Sequence, residues 1–206
     1  MYQTVSIFEG GGYLQTKGQE TRNHILKESR RLFTLQGFNN TSISEIIAAT
    51  GVKKGNLYYH FSSKEELGLA VLLDVRHEFL GVLERSMVGS SAVERILHSC
   101  NSIMALMEET DFVGGCLFGN TALEMIDLSS SFGQVVRDVF SHWINLIEQE
   151  IRRDIGDEGN GKNLSPETLA IAVVAILEGG IMLSRLYQNK KSLDACIRSI
   201  EGLVGS

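Results

Sequence analysis

A chain of 206 residues with 43% hydrophobic and 21% charged residues and a formal net charge of −6 has the composition of an ordinary globular protein. Cys100, Cys116 and Cys196 are too few and too scattered for a disulfide framework or a zinc site, so the expected setting is reducing and cytoplasmic. No apolar run is read as approaching the ~20 residues of a membrane span, and the first residues lack the basic cluster and apolar run of a signal peptide.

Residues 1–16 contain Gly10-Gly11-Gly12 and no helical stripe, and are read as a flexible arm. From Thr21 a stripe begins, with Ile25, Leu26, Ser29, Leu32 and Phe33 on one face and Gly37 as the stop. Ser42-Ile43-Ser44-Glu45 has the form of a capping box and starts a short helix over about Ile43 to Thr50. Gly51 supplies a sharp turn, and a second short helix carries Lys54 to His60. Lys64-Glu65-Glu66-Leu67 opens a long helix with Leu67, Val71, Leu72, Val75, Phe79 and Leu83 on its inner side, broken at Ser90-Ser91 and followed by a helix over 92–108. The run Gly114-Gly115-Cys116 leads into a helix through Met125. Val136, Val139, Phe140, Trp143, Ile147 and Ile151 stripe the next one. A polar loop, Gly156–Asn163, precedes a serine-capped helix with Pro166 at its first position, apolar over 167–188, and a final helix spans about Ser192 to Leu203. With one proline and no sustained alternation, the fold class is all-α, about nine helices in total. The expected division is a helix-turn-helix domain over 17–66 and a larger helical domain over 67–206.

Charge is divided along the same line. Lys17 to Lys64 holds eight basic and three acidic residues, whereas the rest of the chain holds 11 and 22. A basic head on an acidic body suits a DNA reader, because the body repels phosphate and leaves the head to set the orientation. Within that head, residues 42–61 form two short helices joined by a three-residue turn, with Ile46, Val52, Leu57 and Phe61 placed to pack on Ile25, Leu32 and Phe33. Lys54, Asn56, Tyr58, Tyr59 and His60 are left on the surface. Ring edges can contact thymine methyls and phosphates, Asn56 can pair with a base edge, and Gly55 lets the helix backbone approach the duplex. Thr41 and Ser42, at the N-terminus of the preceding helix, can present hydroxyl and N–H groups to a phosphate.

Thr41–Leu67, TSISEIIAATGVKKGNLYYHFSSKEEL, resembles the DNA-binding motif of the TetR family: a Gly-Val turn, Leu-Tyr, a further aromatic, His-Phe and a Lys-Glu-Glu-Leu run occur in that order. The match covers about 45 residues from Arg22 onward. The resemblance makes Lys54, Gly55, Asn56, Tyr58 and His60 the groove-facing set and Thr41, Ser42, Tyr59 and Lys64 phosphate contacts. Two positions depart from the pattern: Lys53 stands where a capping Ser, Thr or Pro is usual, and Ile47 where a small residue is common.

Beyond about residue 68 the likeness is architectural, and implies a ligand pocket and a homodimer formed by the last two helices. Ala172, Ala175, Gly179, Gly180 and Ser184 permit close helix packing, which assigns 167–203 to the dimer interface. The pocket is expected among Met104, Met107, Phe112, Cys116, Phe118, Met125, Phe140 and Trp143, an adaptable apolar set suited to a hydrophobic effector. Cys116 follows two glycines at a helix start, where backbone N–H groups would favour a thiolate, although burial of the thiol is the plainer reading. The leading function is a repressor that binds a palindromic operator as a dimer and is released by a small hydrophobic ligand. The alternatives are redox or electrophile sensing through Cys116 and a ligand-free DNA-binding interaction factor. The 156–163 loop imitates a phosphate-binding loop but ends in Asn163 and follows a helix. The five histidines show no metal-ligand spacing, and no catalytic triad is present, so no enzyme activity, metal or cofactor is expected.

Overall fold

The computed structural model describes residues 16–156 and 164–205, and among these the chain forms nine α-helices and no strand. They are α1 (Lys17–Gln36), α2 (Ile43–Thr50), α3 (Lys54–His60), α4 (Lys64–Ser86), α5 (Ala92–Glu108), α6 (Leu117–Met125), α7 (Ser130–Ile155), α8 (Pro166–Tyr187) and α9 (Lys191–Val204). The expected N-terminal arm, apart from Thr16, and the polar loop beyond Gly156 lie outside the described residues.

Helix α1 begins a turn before the apolar stripe. Thr16 accepts from the Gln19 N–H while the Gln19 side chain accepts from the Thr16 N–H, a capping box in a segment with no apolar residue to reveal the period. The same device closes α2, where Ser42 and Glu45 exchange both bonds, and Gly51 ends it in the left-handed conformation at φ 67°. As its sequence implies, α3 has no side-chain cap at Lys53.

The helix-turn-helix is held by Ile25, Leu26 and Phe33 of α1, Ile46 of α2, Leu57 of α3 and Phe61, all buried, each worth about 1.5–3 kcal/mol relative to exposure. That core does not stop at α3. The Phe38 ring lies tilted at 5.2 Å from Phe33 and 4.9 Å from Phe132 of α7, against Gly68, where an added Cβ would come within 2.5 Å of the Phe38 ring. Glu124 at the far end of α6 accepts from the backbone N–H groups of Phe38 (3.0 Å) and Asn39 (2.5 Å), so the body closes the turn between α1 and α2.

The second cluster joins α5, α7, α8 and α9 around Trp143, Ile147, Leu169, Val173, Leu177, Leu193 and Ile200. Buried Arg95 sits at its edge, ion-paired to Glu150 and, at 2.8 Å, to Asp154. Helix α8 is long and apolar enough to cross a membrane, with a mean hydropathy of 1.9 over its most apolar window, which corrects the expectation that no run is. It is instead packed between α7 and α9, with Glu178 midway along it.

The small residues of α8 divide between two faces. Gly180 and Ser184 face α9 of the same chain: a Cβ on Gly180 would lie 3.0 Å from Cys196 and Leu193, and the Leu193 N–H donates to Ser184 Oγ at 3.1 Å. Their packing is internal, a correction to a single intermolecular stripe. The outward row is Ile171, Ala175, Met182 and Leu186, with half-buried Gly179 bordered by open space.

Candidate functional site

Helix α3 is anchored by one buried residue, Leu57, and its other side chains fall outside the core. Lys54, Gly55, Asn56, Tyr58 and Tyr59 are exposed, Tyr59 at 83%, and His60 is half-buried. The Lys54 ammonium lies 6.0 Å from the Tyr58 ring, and the Tyr59 and His60 rings meet edge to face at 5.1 Å. A Cβ on Gly55 would meet nothing within 4 Å. Glycine inside a helix costs about 1 kcal/mol relative to alanine, and here no intramolecular neighbour requires it.

The flanking residues are less uniformly outward than their motif positions imply. Thr41 is fully buried, and its hydroxyl donates to the Gly37 carbonyl at 2.7 Å, so it braces the α1–α2 turn and presents no hydroxyl to solvent. Ser42 is exposed, but its N–H is taken by Glu45, whose carboxyl is held below its usual range by hydrogen bonds from Ser42 and Gln36. Lys64 is half-buried: its ammonium lies 4.4 Å from the Phe38 ring and donates to the Asn39 carbonyl at 3.4 Å, leaving its other N–H bonds open. Arg22, over the Phe61 ring at 5.0 Å, adds a cation on the same domain that the motif did not single out.

A cavity of about 520 Å³ lies between α1 and the body. Its inner wall is apolar: Val75, Phe79, Ile103, Met107, Phe118, Trp143 and Ile181. Its mouth is lined by Lys27, Arg30, Arg31, Thr34 and Leu35 of α1, where Arg30 pairs with Glu78 and Arg31 with Glu28 at 3.0 Å. Four of the eight expected wall residues, Met107, Cys116, Phe118 and Trp143, line it. The other four do not. Met125 belongs to the core shared with the head, and Met104 packs against the body core. Phe140 stands behind Trp143, with ring centroids 6.2 Å apart. Phe112 is turned away in a left-handed conformation (φ 59°), its N–H donating to Met107 at 2.8 Å.

Sequence reasoning missed Phe79, which was placed on the inner side of α4 but not at a cavity, and all six wall residues of α1, Glu28 included. It also missed Glu178, whose signal was a single acid in the apolar run of α8. Cys116 caps α6 by accepting from the Gly119 N–H at 3.3 Å. Burial first, and then the neighbouring Glu178 carboxyl, push its thiol well above the ordinary range, which favours the protonated form and gives no support to control through this sulfur. Cys100 is likewise pushed up to about 12 by burial. Among the described residues no cluster of His, Cys, Asp or Glu is arranged to hold a metal.

Comparison with known proteins finds two family models that match this chain. The model of the N-terminal domain of "bacterial regulatory proteins, tetR family" matches residues 25–71, and that of the "tetracyclin repressor-like, C-terminal domain" matches residues 92–200. The repressor DhaR of a Mycobacterium species is 28% identical over 84% of this chain and 86% of its own length, and the regulator LmrA of Bacillus subtilis is 27% identical over 84% and 91%. A crystal structure of a TetR transcriptional regulator from Chloroflexus aurantiacus superposes with a TM-score of 0.83 at 29% identity, covering 92% of this chain and 96% of that one.

Proposed function

Since the chain belongs to the TetR family of DNA-binding transcriptional regulators, which are not enzymes, we propose that it is a repressor that binds a palindromic operator as a homodimer and is released by a small, predominantly apolar effector. The observation that carries this reading is the placement of α1, which packs on α2 behind the exposed α3 and lines the mouth of the cavity. A ligand filling that cavity touches the helix that orients the reading head. To release DNA it must bind the non-reading form more tightly, by about 5.5 kcal/mol for a shift from 99% to 1% competence.

In this proposal Lys54, Gly55, Asn56, Tyr58 and His60 face the groove, while Tyr59, Ser42 and the open N–H bonds of Lys64 meet phosphates. The outward row of α8, with α9, pairs with its counterpart in a second copy, covering Met182, Leu186 and Tyr187, which are otherwise 60–67% exposed.

Selection of bound sequences from a random DNA pool tests the reading directly. Two inverted half-sites are expected, with a salt slope of roughly 0.9 per phosphate neutralised. Asn56→Ala is expected to relax discrimination at one base pair per half-site by about 1–3 kcal/mol. Recovery of unrelated sequences, bound equally by both proteins, would overturn the reading.

A further inference from the structure

From Leu169 to Leu183 every residue of α8 is apolar or glycine except Glu178. Its side chain enters the cavity beside Cys116 and Ile181, and its Oε1 is buried with no hydrogen-bond partner among the described residues. The other oxygen lies so near α6 that a Cβ on Gly119 would come within 2.5 Å of it. Among the described residues no cation is ion-paired to Glu178: Arg185, two turns on, donates to Asn120 Oδ1 at 2.9 Å, Arg30 and Arg31 are paired at the mouth, and Lys27 lies on α1 at that mouth. Among these residues the one side chain that donates to this carboxyl is the Cys116 thiol, a weak and uncharged donor; a desolvated carboxyl so poorly answered is costly in any fold, and this one borders a space large enough to bring a stronger partner in.

We propose that Glu178 is the polar recognition residue of the effector cavity and that its ligand is an apolar molecule carrying a protonated amine. The inference rests on the reading of the cavity as an effector site and adds the chemistry the effector must present. An ammonium answers the carboxylate with both charge and N–H donors, while its apolar remainder covers Phe79, Phe118 and Trp143. A neutral alcohol supplies a donor without charge, and a carboxylate of the same shape is repelled. Burial raises the affinity of Glu178 for its own proton, and a bound ammonium acts in the opposite sense, favouring the ionised carboxylate.

Three probes of one shape separate these cases: 4-phenylbutylamine, 4-phenylbutanol and 4-phenylbutyrate. They are titrated by calorimetry and Trp143 emission into the full chain and into Glu178→Gln, which keeps the side-chain shape. The expected order on the unaltered protein is amine, alcohol, carboxylate, with the amine at least about tenfold tighter than the carboxylate. In Glu178→Gln the amine is expected to weaken by about tenfold while the alcohol holds within about threefold, which also reports an intact cavity. An amine preference that survives Glu178→Gln, or a carboxylate that binds the unaltered protein as well as the amine, overturns the role of Glu178 and leaves the effector cavity standing. Failure of all three probes to bind or to alter Trp143 emission overturns the effector reading of the cavity as well.

Discussion

The reading head and the body are built from similarly capped helices, and each buries one hydroxyl without a partner, Ser29 in the head and Ser99 in the body, yet among the described residues only the body also leaves a carboxyl oxygen so placed. In the head, helix ends are closed by residues three positions apart, Thr16 with Gln19 and Ser42 with Glu45, and the side chains left over, Asn56 and Tyr59, point out. In the body, a carboxyl is left over inside, at Glu178, next to unfilled space. A surface shaped for a large rigid partner can be rigid itself, whereas a site that must respond to a small one keeps room and a poorly answered group at its centre.

The comparison can be broken most forcefully at Trp143, which serves both as core and as cavity wall. Trp143→Ala is expected to cost about 3–5 kcal/mol in denaturant unfolding, because the ring also packs edge-on against Phe79 at 5.2 Å. A loss below 1 kcal/mol would mean that the body is as loose there as its cavity. Next comes Gly68→Ala at the joint of the two regions, where the new methyl would lie 2.5 Å from Phe38 and 2.8 Å from Phe132, for a loss of about 1–3 kcal/mol. Thermal melting unchanged by this variant would deny that the joint is tight. Gly55→Ala sharpens the contrast from the other side: melting should rise by the equivalent of up to about 1 kcal/mol while operator affinity falls, as the proposed groove-facing role of this glycine requires. Both quantities moving the same way would contradict that assignment.

The smallest effect is electrostatic. Hydrogen bonds from the Arg95 guanidinium, and then from the Ala92 N–H, hold the Asp154 carboxyl below its usual value of 3.8. Its contribution to stability is therefore present above that value and lost as pH falls through the lower, folded-state one. Asp154→Asn should lower stability at pH 7 and flatten the acid limb of the stability curve below about pH 4, read by melting at a series of pH values. An acid limb identical to that of the unaltered protein would remove Asp154 from the cause.

The same contrast explains what could be read from sequence. The capping box at Ser42, the Gly51 turn and the outward face of α3 are local patterns, and α2 and α3 occupy the residues expected of them. Thr41 and Lys64 sit in the same motif yet turn inward, because their partners, Gly37 and Phe38, belong to the preceding turn. The cavity draws on α1, α4, α5, α6, α7 and α8, from Lys27 to Ile181, and no single stripe records which residues will face a void and which, like Met125 and Phe140, will fill the core beside it. Helix period shows that a residue is inside. It does not show what is opposite.

The carboxyl of Glu124 has a consequence for how such a protein can be cut and rejoined. Two main-chain donors of the head, at Phe38 and Asn39, are satisfied by a residue more than eighty positions downstream, and the aromatic cluster beside them is completed by Phe132. The head is thus not an exchangeable module. Grafted onto a body without a carboxyl at that point, it would carry two unpaired N–H groups and an open ring face into every chimera. Residues at positions 38, 124 and 132 would have to be transferred together for the joint to survive exchange.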